Sequence, residues 1–201
     1  MEKERSFPDW EQLYQQESVE TMPWFHPELD LDVDKALSEL NLDQAMVLDL
    51  GTGPGTQAMA LAERGFNVIA TDLSHSAIDK ASSVAQQRRL EITWKQDDIL
   101  NTQLGEQFDL ILDRGCFHVL APERRADYVQ VVARLLKPSK YLFLKTFSVS
   151  ETLEGGPYRF RASEIEELFR EHFLLRSAQE TVYYGTLDPL PRALFCILQR
   201  L

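Results

Sequence analysis

Positive charge is scarce in this chain: 21 Lys and Arg stand against 32 Asp and Glu, a formal net charge of -11 over 201 residues. Nucleic-acid binding leans on cations that neutralise phosphates, so a polyanionic partner is disfavoured. The basic pairs Arg88–Arg89 and Arg124–Arg125 read as solvated helix faces. Cysteine is nearly absent too. Cys116 and Cys196 can close one bridge at most and have neither metal-knuckle nor redox spacing, so reduced thiols and no metal centre are expected. No stretch approaches the ~18 apolar residues of a membrane span, and the opening MEKERSFPDW has neither the apolar run nor the cleavage site of a signal peptide. A cytoplasmic protein with no membrane partner is the expectation. Repeats and low-complexity tracts are missing as well, which leaves an ordinary globular composition, 44% hydrophobic and 26% charged.

What is present is an alternation of short apolar runs with helical periodicity, the pattern of an α/β fold with a largely parallel sheet. AMVLDL (45–50) reads as a buried strand, and QAMALAERG as the helix after it, closing at Gly65. NVIATD (67–72) is the second strand, followed by a helix that Ser74 or Ser76 can cap and that buries Ile78, Ala81, Val84 and Ala85. EITWKQDD, FDLILD (108–113) and KYLFLKTFS supply three more strands, with Tyr128, Val131, Val132, Leu135 and Leu136 forming the stripe of the intervening helix. After Gly155-Gly156-Pro157, Ser163 and Glu166 suggest a capping box. FLLRSAQETVYYG and RALFCILQR then pair as final strands, so one strand of the sheet runs antiparallel. The whole is expected to be a single domain: a helical cap over residues 1–40 and an α/β core over 41–201.

The densest motif is VLDLGTGPGT, from Val47 to Thr56. An acid near the strand end is followed by Gly51, Gly53 and Gly55, which remove side chains where backbone must approach a ligand. A dinucleotide fingerprint needs G-x-G-x-x-G/A, yet Thr56 holds its last position, and Asp49 would set a carboxylate beside two phosphates. A ligand carrying an ammonium and a sulfonium suits that acid better. Asp72 follows Gly55 by seventeen residues, near the offset at which an acid meets ribose hydroxyls. Asp97 and Asp98 end the third strand, with Ile99 offering an apolar face to an adenine. LDRGCFHVL (112–120) follows the fourth strand, beside the strand-order switch where ligands bind. There Cys116 reads as a small buried residue, His118 as a structural histidine whose pKa would permit a base role, and Arg114 as a guanidinium able to grip a carboxylate of cofactor or substrate.

These residues resemble the class I S-adenosylmethionine-dependent methyltransferases, most closely the small-molecule thiopurine and tellurite group. VLDLGTGPG, VIATD and QDDIL stand in the order of the class-wide cofactor motifs, and LDRG, GGPYRF and SEIEELF resemble segments of the smaller group. The resemblance implies a Rossmann-like, seven-stranded, mostly parallel sheet with one antiparallel strand and helices on both faces. It also implies that S-adenosylmethionine lies across Gly51 to Gly55. Asp49, Thr52, Gly53 and the loop backbone would hold its methionine part, Asp72 with Leu73 its ribose, and Asp97, Asp98 and Ile99 its adenine. Asp113 would adjoin it, and Trp24, within MPWF, matches a tryptophan that covers the cofactor in this group. The glycine segment departs from the Cys-Gly-Lys form of thiopurine enzymes, and no Asn-Pro-Pro-Tyr motif follows the fourth strand, which leaves the acceptor open.

Methyl transfer from a sulfonium is an in-line displacement that chiefly needs alignment. A thiol or other soft nucleophile needs little more; a hydroxyl or ammonium acceptor needs a base, for which His118, Asp113 and His26 are the candidates. Phe25, Tyr158, Arg159 and Phe160, with Trp24, are expected to line the acceptor pocket. A catalytically silent cofactor-binding module and a NAD-dependent oxidoreductase are the other classes in play, and a monomer or weak dimer is expected.

Overall fold

The computed structural model describes residues 5–105 and 107–201, so residues 1–4 of the expected cap lie outside the described residues. The amino-terminal segment holds α1 (Trp10–Gln16), a 3-10 turn at Val19–Thr21, and α2 (Leu31–Glu39). Then come β1 (Met46–Leu50), α3 (Thr56–Glu63), β2 (Asn67–Asp72), α4 (His75–Gln87), β3 (Ile92–Gln96) and β4 (Phe108–Arg114). The chain continues through α5 (Arg125–Leu135), β5 (Leu136–Ser148), β6 (Arg159–Phe160), α6 (Ala162–Phe169), β7 (Phe173–Val182) and β8 (Arg192–Arg200).

The strand order is β3-β2-β1-β4-β5-β8-β7. β1 to β5 run parallel, and β8 lies antiparallel to both β5 and β7, which makes it the single reversed strand expected from the last two runs. The seven expected strands gain an eighth. After the turn at Gly155 and Gly156, both with positive φ, the two-residue β6 pairs parallel with Phe147 and Ser148 of β5.

Alternation along β1 divides the core. Leu48 and Leu50 face a cluster with Tyr128, Val132, Ile165 and Phe169 of α5 and α6, whereas Val47 faces Val33, Leu37, Ala58 and Leu61 of α2 and α3. Helices therefore cover both faces, and α2 packs as a helix of the α/β body. Its Val33, Ala36 and Leu37 are buried because they recur at helical spacing on one side. The helix caps follow local chemistry: Ser74 accepts from Ala77 N–H at the start of α4 at 3.0 Å. The box expected from Ser163 and Glu166 does not form; two residues earlier Glu164 Oε2 accepts the Arg161 N–H at 2.7 Å, the glutamate half of such a box, while the Glu164 N–H goes to the Arg161 carbonyl because a guanidinium cannot accept. Residue 161 is extended, so the helix begins before Ser163 can act as its cap.

Candidate active site

Strand order reverses between β1 and β4, and a cavity of about 470 Å³ opens there at the carboxyl ends of the strands, the place where open α/β sheets bind ligands. Leu50, Gly51, Asp72 and Ile99 line one part of it, and Arg114, His118, Phe147 and Tyr183 the other.

The glycine loop is shaped by three positive φ values, +65° at Gly51, +51° at Gly53 and +74° at Gly55. Gly51 borders the cavity, and a Cβ there would come within 3.2 Å of Cys116 Cβ. At Gly53 a Cβ would fall 2.5 Å from the Tyr14 hydroxyl, and at Gly55 2.6 Å from Ala81 Cβ, so these two glycines serve packing over the loop and against α4. Asp49 lies with Val47 on the α3 side of β1, and neither it nor Thr52 lines the cavity. Its buried carboxylate accepts the Thr52 hydroxyl at 2.5 Å, and burial pushes its pKa up to about 6 against that bond and one from Ala58 N–H. The acid read from the sequence as a ligand group thus braces the loop from behind.

Asp72 ends β2 on the cavity wall. Its Oδ2 accepts Gly53 N–H at 2.8 Å and its Oδ1 Ser74 N–H at 2.9 Å, tying the glycine loop to the next turn. Leu73 beside it lines the cavity while 55% exposed, a large apolar side chain left open at the rim. Asp98 is used locally, accepting from Leu100 N–H at 3.0 Å and Asn101 Nδ2 at 2.6 Å. Asp97 differs: its Oδ2 is buried and has no hydrogen-bond partner among the described residues. Both border the cavity beside Ile99.

The cover over this wall is aromatic: Trp24, implied by the resemblance, lines the cavity, together with aromatics of the cap that were not singled out in the sequence. Trp24 donates Nε1–H to the Tyr14 hydroxyl at 3.0 Å and meets Trp10 edge-on at 5.8 Å. Phe7, Trp10, Tyr14 and Trp24 all line the cavity. Glu11 holds α1 to the start of α4, accepting the hydroxyls of Ser74 at 2.8 Å and Ser76 at 2.6 Å. Those bonds draw its pKa down to about 2. Phe25, expected in the acceptor pocket, does not line the cavity and packs against the cluster of Tyr14, Met22 and Ala77. For Phe7, Trp10 and Tyr14 the sequence signal was the density of aromatics before residue 26, which fits a cap-to-core packing role equally well.

Near the end of β4, Asp113 organises the turn that follows. Fully buried, it accepts from the N–H groups of Gly115, Cys116 and Phe117 at 3.0, 2.8 and 2.9 Å and from the Tyr128 hydroxyl at 2.5 Å. The carboxylate that Arg114 grips is the chain's own Asp30, at 2.8 Å, while its other nitrogens reach the carbonyls of Trp24 and Tyr184. Asp30 in turn accepts Lys145 Nζ at 2.7 Å, and Lys145 also reaches Asp32 at 2.6 Å. Burial alone would raise the Asp30 carboxyl, but Lys145 and Arg114 overcome it and hold it below its ordinary range. A lysine inside the apolar run LFLKTF was a signal for this cluster; Asp30 was hidden in the acidic run that opens α2. Cys116 lines the cavity, and burial together with Asp113 pushes its thiol well above its ordinary pKa, in keeping with a packing role.

His118 is 4% exposed, and burial beside Arg114 lowers its pKa to about 3. Its Nδ1 accepts the Phe147 N–H at 3.2 Å. A base role therefore does not fit this histidine: the accepting nitrogen is occupied, and the neutral ring carries its proton on Nε2. His26 stacks on Tyr184 at 5.5 Å and lines no part of the cavity.

Three residues expected in the acceptor pocket lie behind it. Tyr158 is 1% exposed, with the Arg125 guanidinium 4.7 Å from its ring centre, and its N–H holds the His118 carbonyl at 2.9 Å. Phe160 packs on Phe117 at 5.2 Å, and Arg159 ties down the carbonyls of Leu153 and Gly155. The neighbouring loop residues Leu153, Gly156 and Pro157 line the cavity in their place. Sequence distance along β6 could not distinguish the wall from the layer behind it.

A family model described as a methyltransferase domain matches residues 47–139, from the glycine strand to the start of β5. Thiocyanate methyltransferase 1 of Brassica oleracea is 31% identical over 133 residues, 65% of this chain, and the chain spans 58% of that relative's length. An uncharacterised methyltransferase of Schizosaccharomyces pombe is 32% identical over 104 residues, covering 51% of this chain and 71% of that protein. Among solved structures, one described in connection with converting a disulfide bond into a thioacetal group during echinomycin biosynthesis superposes with a TM-score of 0.82 at 24% identity, covering 95% of this chain and 90% of that one. With its glycine loop and strand-end acids at the switch point, the chain belongs to the methyltransferase-domain family.

Proposed function

We propose that the chain binds S-adenosylmethionine across the ends of β1, β2 and β3 and transfers its methyl group to a small-molecule acceptor under the aromatic cover. The observation that carries this reading is Asp97 Oδ2, a buried acceptor without a partner among the described residues, on the same wall as Asp72, Leu73 and Ile99. Buried polar atoms are rarely left unpaired, so this one calls for a donor such as an adenine amino group. Asp72 retains acceptor capacity for ribose hydroxyls beyond its two backbone bonds, and Gly51 leaves room for the methionine part. Bound there, S-adenosylmethionine supplies an activated methyl group on a sulfonium. The chain's own residues position the acceptor and exclude water.

Among the described residues of the acceptor half, no group is fitted to remove a proton at neutral pH. Arg114 is paired, His118 holds its proton on Nε2, and burial raises the Tyr183 hydroxyl, which donates to the Arg114 carbonyl at 2.5 Å. That favours a soft acceptor arriving ready to react, and the similarity to a thiocyanate methyltransferase supports the same class. Asp72, Asp97 and Asp98 together disfavour the pyrophosphate of NAD. The net charge of -11 supports a role without nucleic acid. Two unpaired cysteines support a reducing, cytoplasmic setting, and no helix among the described residues is long and apolar enough to cross a membrane. A single domain acting as a monomer or weak dimer completes the reading. Calorimetric titration with S-adenosylhomocysteine tests it: one site per chain is expected, and no binding would overturn it.

A further inference from the structure

We propose that the loop between β7 and β8, from Tyr183 to Pro191, is a clasp that fixes Trp24 over the bound cofactor, with Gly185 and Thr186 as its positioning residues. This rests on the methyltransferase reading above. Trp24 packs against two clusters at once: Tyr14, Met22 and Ala77 on the cofactor side, and Phe147, Tyr183 and Ala193 on the acceptor side. Its indole nitrogen stands over the glycine loop, 3.7 Å from where a Cβ on Gly53 would lie. Backbone contacts hold it there. The Thr186 N–H donates to the Pro23 carbonyl and the Thr186 hydroxyl to the Met22 carbonyl, each at 3.1 Å. Arg114 Nη1 donates to the Trp24 carbonyl at 3.1 Å, and its Nη2 donates to the Tyr184 carbonyl. Three consecutive carbonyls, from Met22 to Trp24, are therefore held by the loop or by the guanidinium that also holds the loop.

Gly185 is the point of closest approach. Its φ lies outside the left-handed region, so this glycine supplies space and not conformational freedom. A Cβ there would overlap the Pro23 carbonyl oxygen and stand 3.1 Å from that carbonyl's carbon and 3.4 Å from Trp24 Cα. These are backbone atoms, which cannot swing aside as the end of a side chain can, so any side chain at 185 must push Pro23 and Trp24 off the loop. Neither Gly185 nor Thr186 lines the cavity, and their effect on a ligand there passes through Trp24. Tyr183, Leu187 and Pro191 of the same loop do line it, and the Tyr183 N–H closes the loop on the Pro191 carbonyl at 2.7 Å. One loop thus walls the acceptor half and holds the cover of the cofactor half.

The test uses the full chain carrying 5-fluorotryptophan, whose three tryptophan signals are sorted with Trp24→Phe. Gly185→Ala should move the Trp24 fluorine signal of the ligand-free protein more than those of Trp10 and Trp94. Calorimetry with S-adenosylhomocysteine should show binding weakened about tenfold by Gly185→Ala and about threefold by Thr186→Val, which loses one hydrogen bond at an exposed position. In a Trp24→Ala background each substitution should cost less than about twofold, because a clasp acts only through Trp24, whereas a general loosening of the fold would weaken binding equally in both backgrounds. Equal losses in the two backgrounds, or a Trp24 signal that Gly185→Ala leaves in place, overturn the inference. Should Gly185→Ala fail to fold, Thr186→Val in the two backgrounds decides alone. Wild-type protein that takes up no S-adenosylhomocysteine brings down the methyltransferase reading and this inference with it. Wild-type protein that binds it, with both variants binding as tightly, leaves that reading standing and removes only the clasp.

Discussion

Lys145→Met should cost this protein about 3 to 5 kcal/mol, because it breaks a buried ion cluster from one side. Lys145 is 0% exposed and its ammonium contacts Asp30 at 2.7 and 2.8 Å and Asp32 at 2.6 Å. With Arg114 on the other side of Asp30, two cations meet two carboxylates and the cluster is neutral. Methionine keeps a similar stem, so the loss of packing is small; what remains is one uncompensated negative charge deep in the fold. Asp32 Oδ2 keeps the Thr181 hydroxyl at 2.9 Å, and Asp30 keeps Arg114, which sets the lower bound. Urea denaturation followed by tryptophan fluorescence should show a lower midpoint with an unchanged slope. Asp32→Asn in the Lys145→Met background should recover about 1 kcal/mol, whereas alone in wild-type protein it should destabilise. That difference in sign is the coupling a double-mutant cycle measures. A loss below about 1 kcal/mol for Lys145→Met, or the same effect of Asp32→Asn in both backgrounds, would refute the reasoning.

Two further outcomes follow from the loop and its cover. Asp49 has its pKa raised from 3.8 to about 6 in the folded chain, so the folded state holds this proton more tightly than the unfolded one. Its ionisation therefore costs stability as pH rises from about 4 to about 6, to the extent of about 3 kcal/mol. Asp49→Asn should remove that slope while keeping an acceptor for Thr52, so its denaturation midpoint should gain on wild type over this window; parallel curves would show that the carboxyl is not buried as described. Glu11→Ala should release α1 from the Ser74 and Ser76 end of α4 and speed dissociation of S-adenosylhomocysteine several-fold in stopped-flow measurements at neutral pH. In wild-type protein the same latch is fully present above about pH 4.5 and weakens as pH falls toward about 2, because the folded-state pKa is depressed.

Much of the body was legible because it is written in backbone-level signals. NVIATD and RALFCILQR are β2 and β8 to the residue, and the reversal of β8 followed from two terminal strands with little between them. The site was less legible, since side-chain direction decides it. Asp49 and Leu50 are neighbours in a strand, yet alternation sends one behind the loop and leaves the other on the cavity wall. Arg114 and Asp113 were read as ligand groups, and both are satisfied within the protein, by Asp30 in α2's cap and by three turn N–H groups. Such partners are 84 residues apart in the first case, a separation no local pattern reports. His118 lies where the sequence suggested, but its role depended on a single backbone N–H from Phe147.

The central claim is that the wall formed by Asp72, Leu73, Asp97 and Ile99 takes the adenosine of S-adenosylmethionine. Calorimetry with S-adenosylhomocysteine on the intact chain and on Asp72→Ala tests it most directly. Binding is expected at one site per chain, weakened at least tenfold by Asp72→Ala, a loss of about 1.4 kcal/mol or more. An intact chain that takes up no S-adenosylhomocysteine, or a variant that binds it as well as the parent, would contradict that claim.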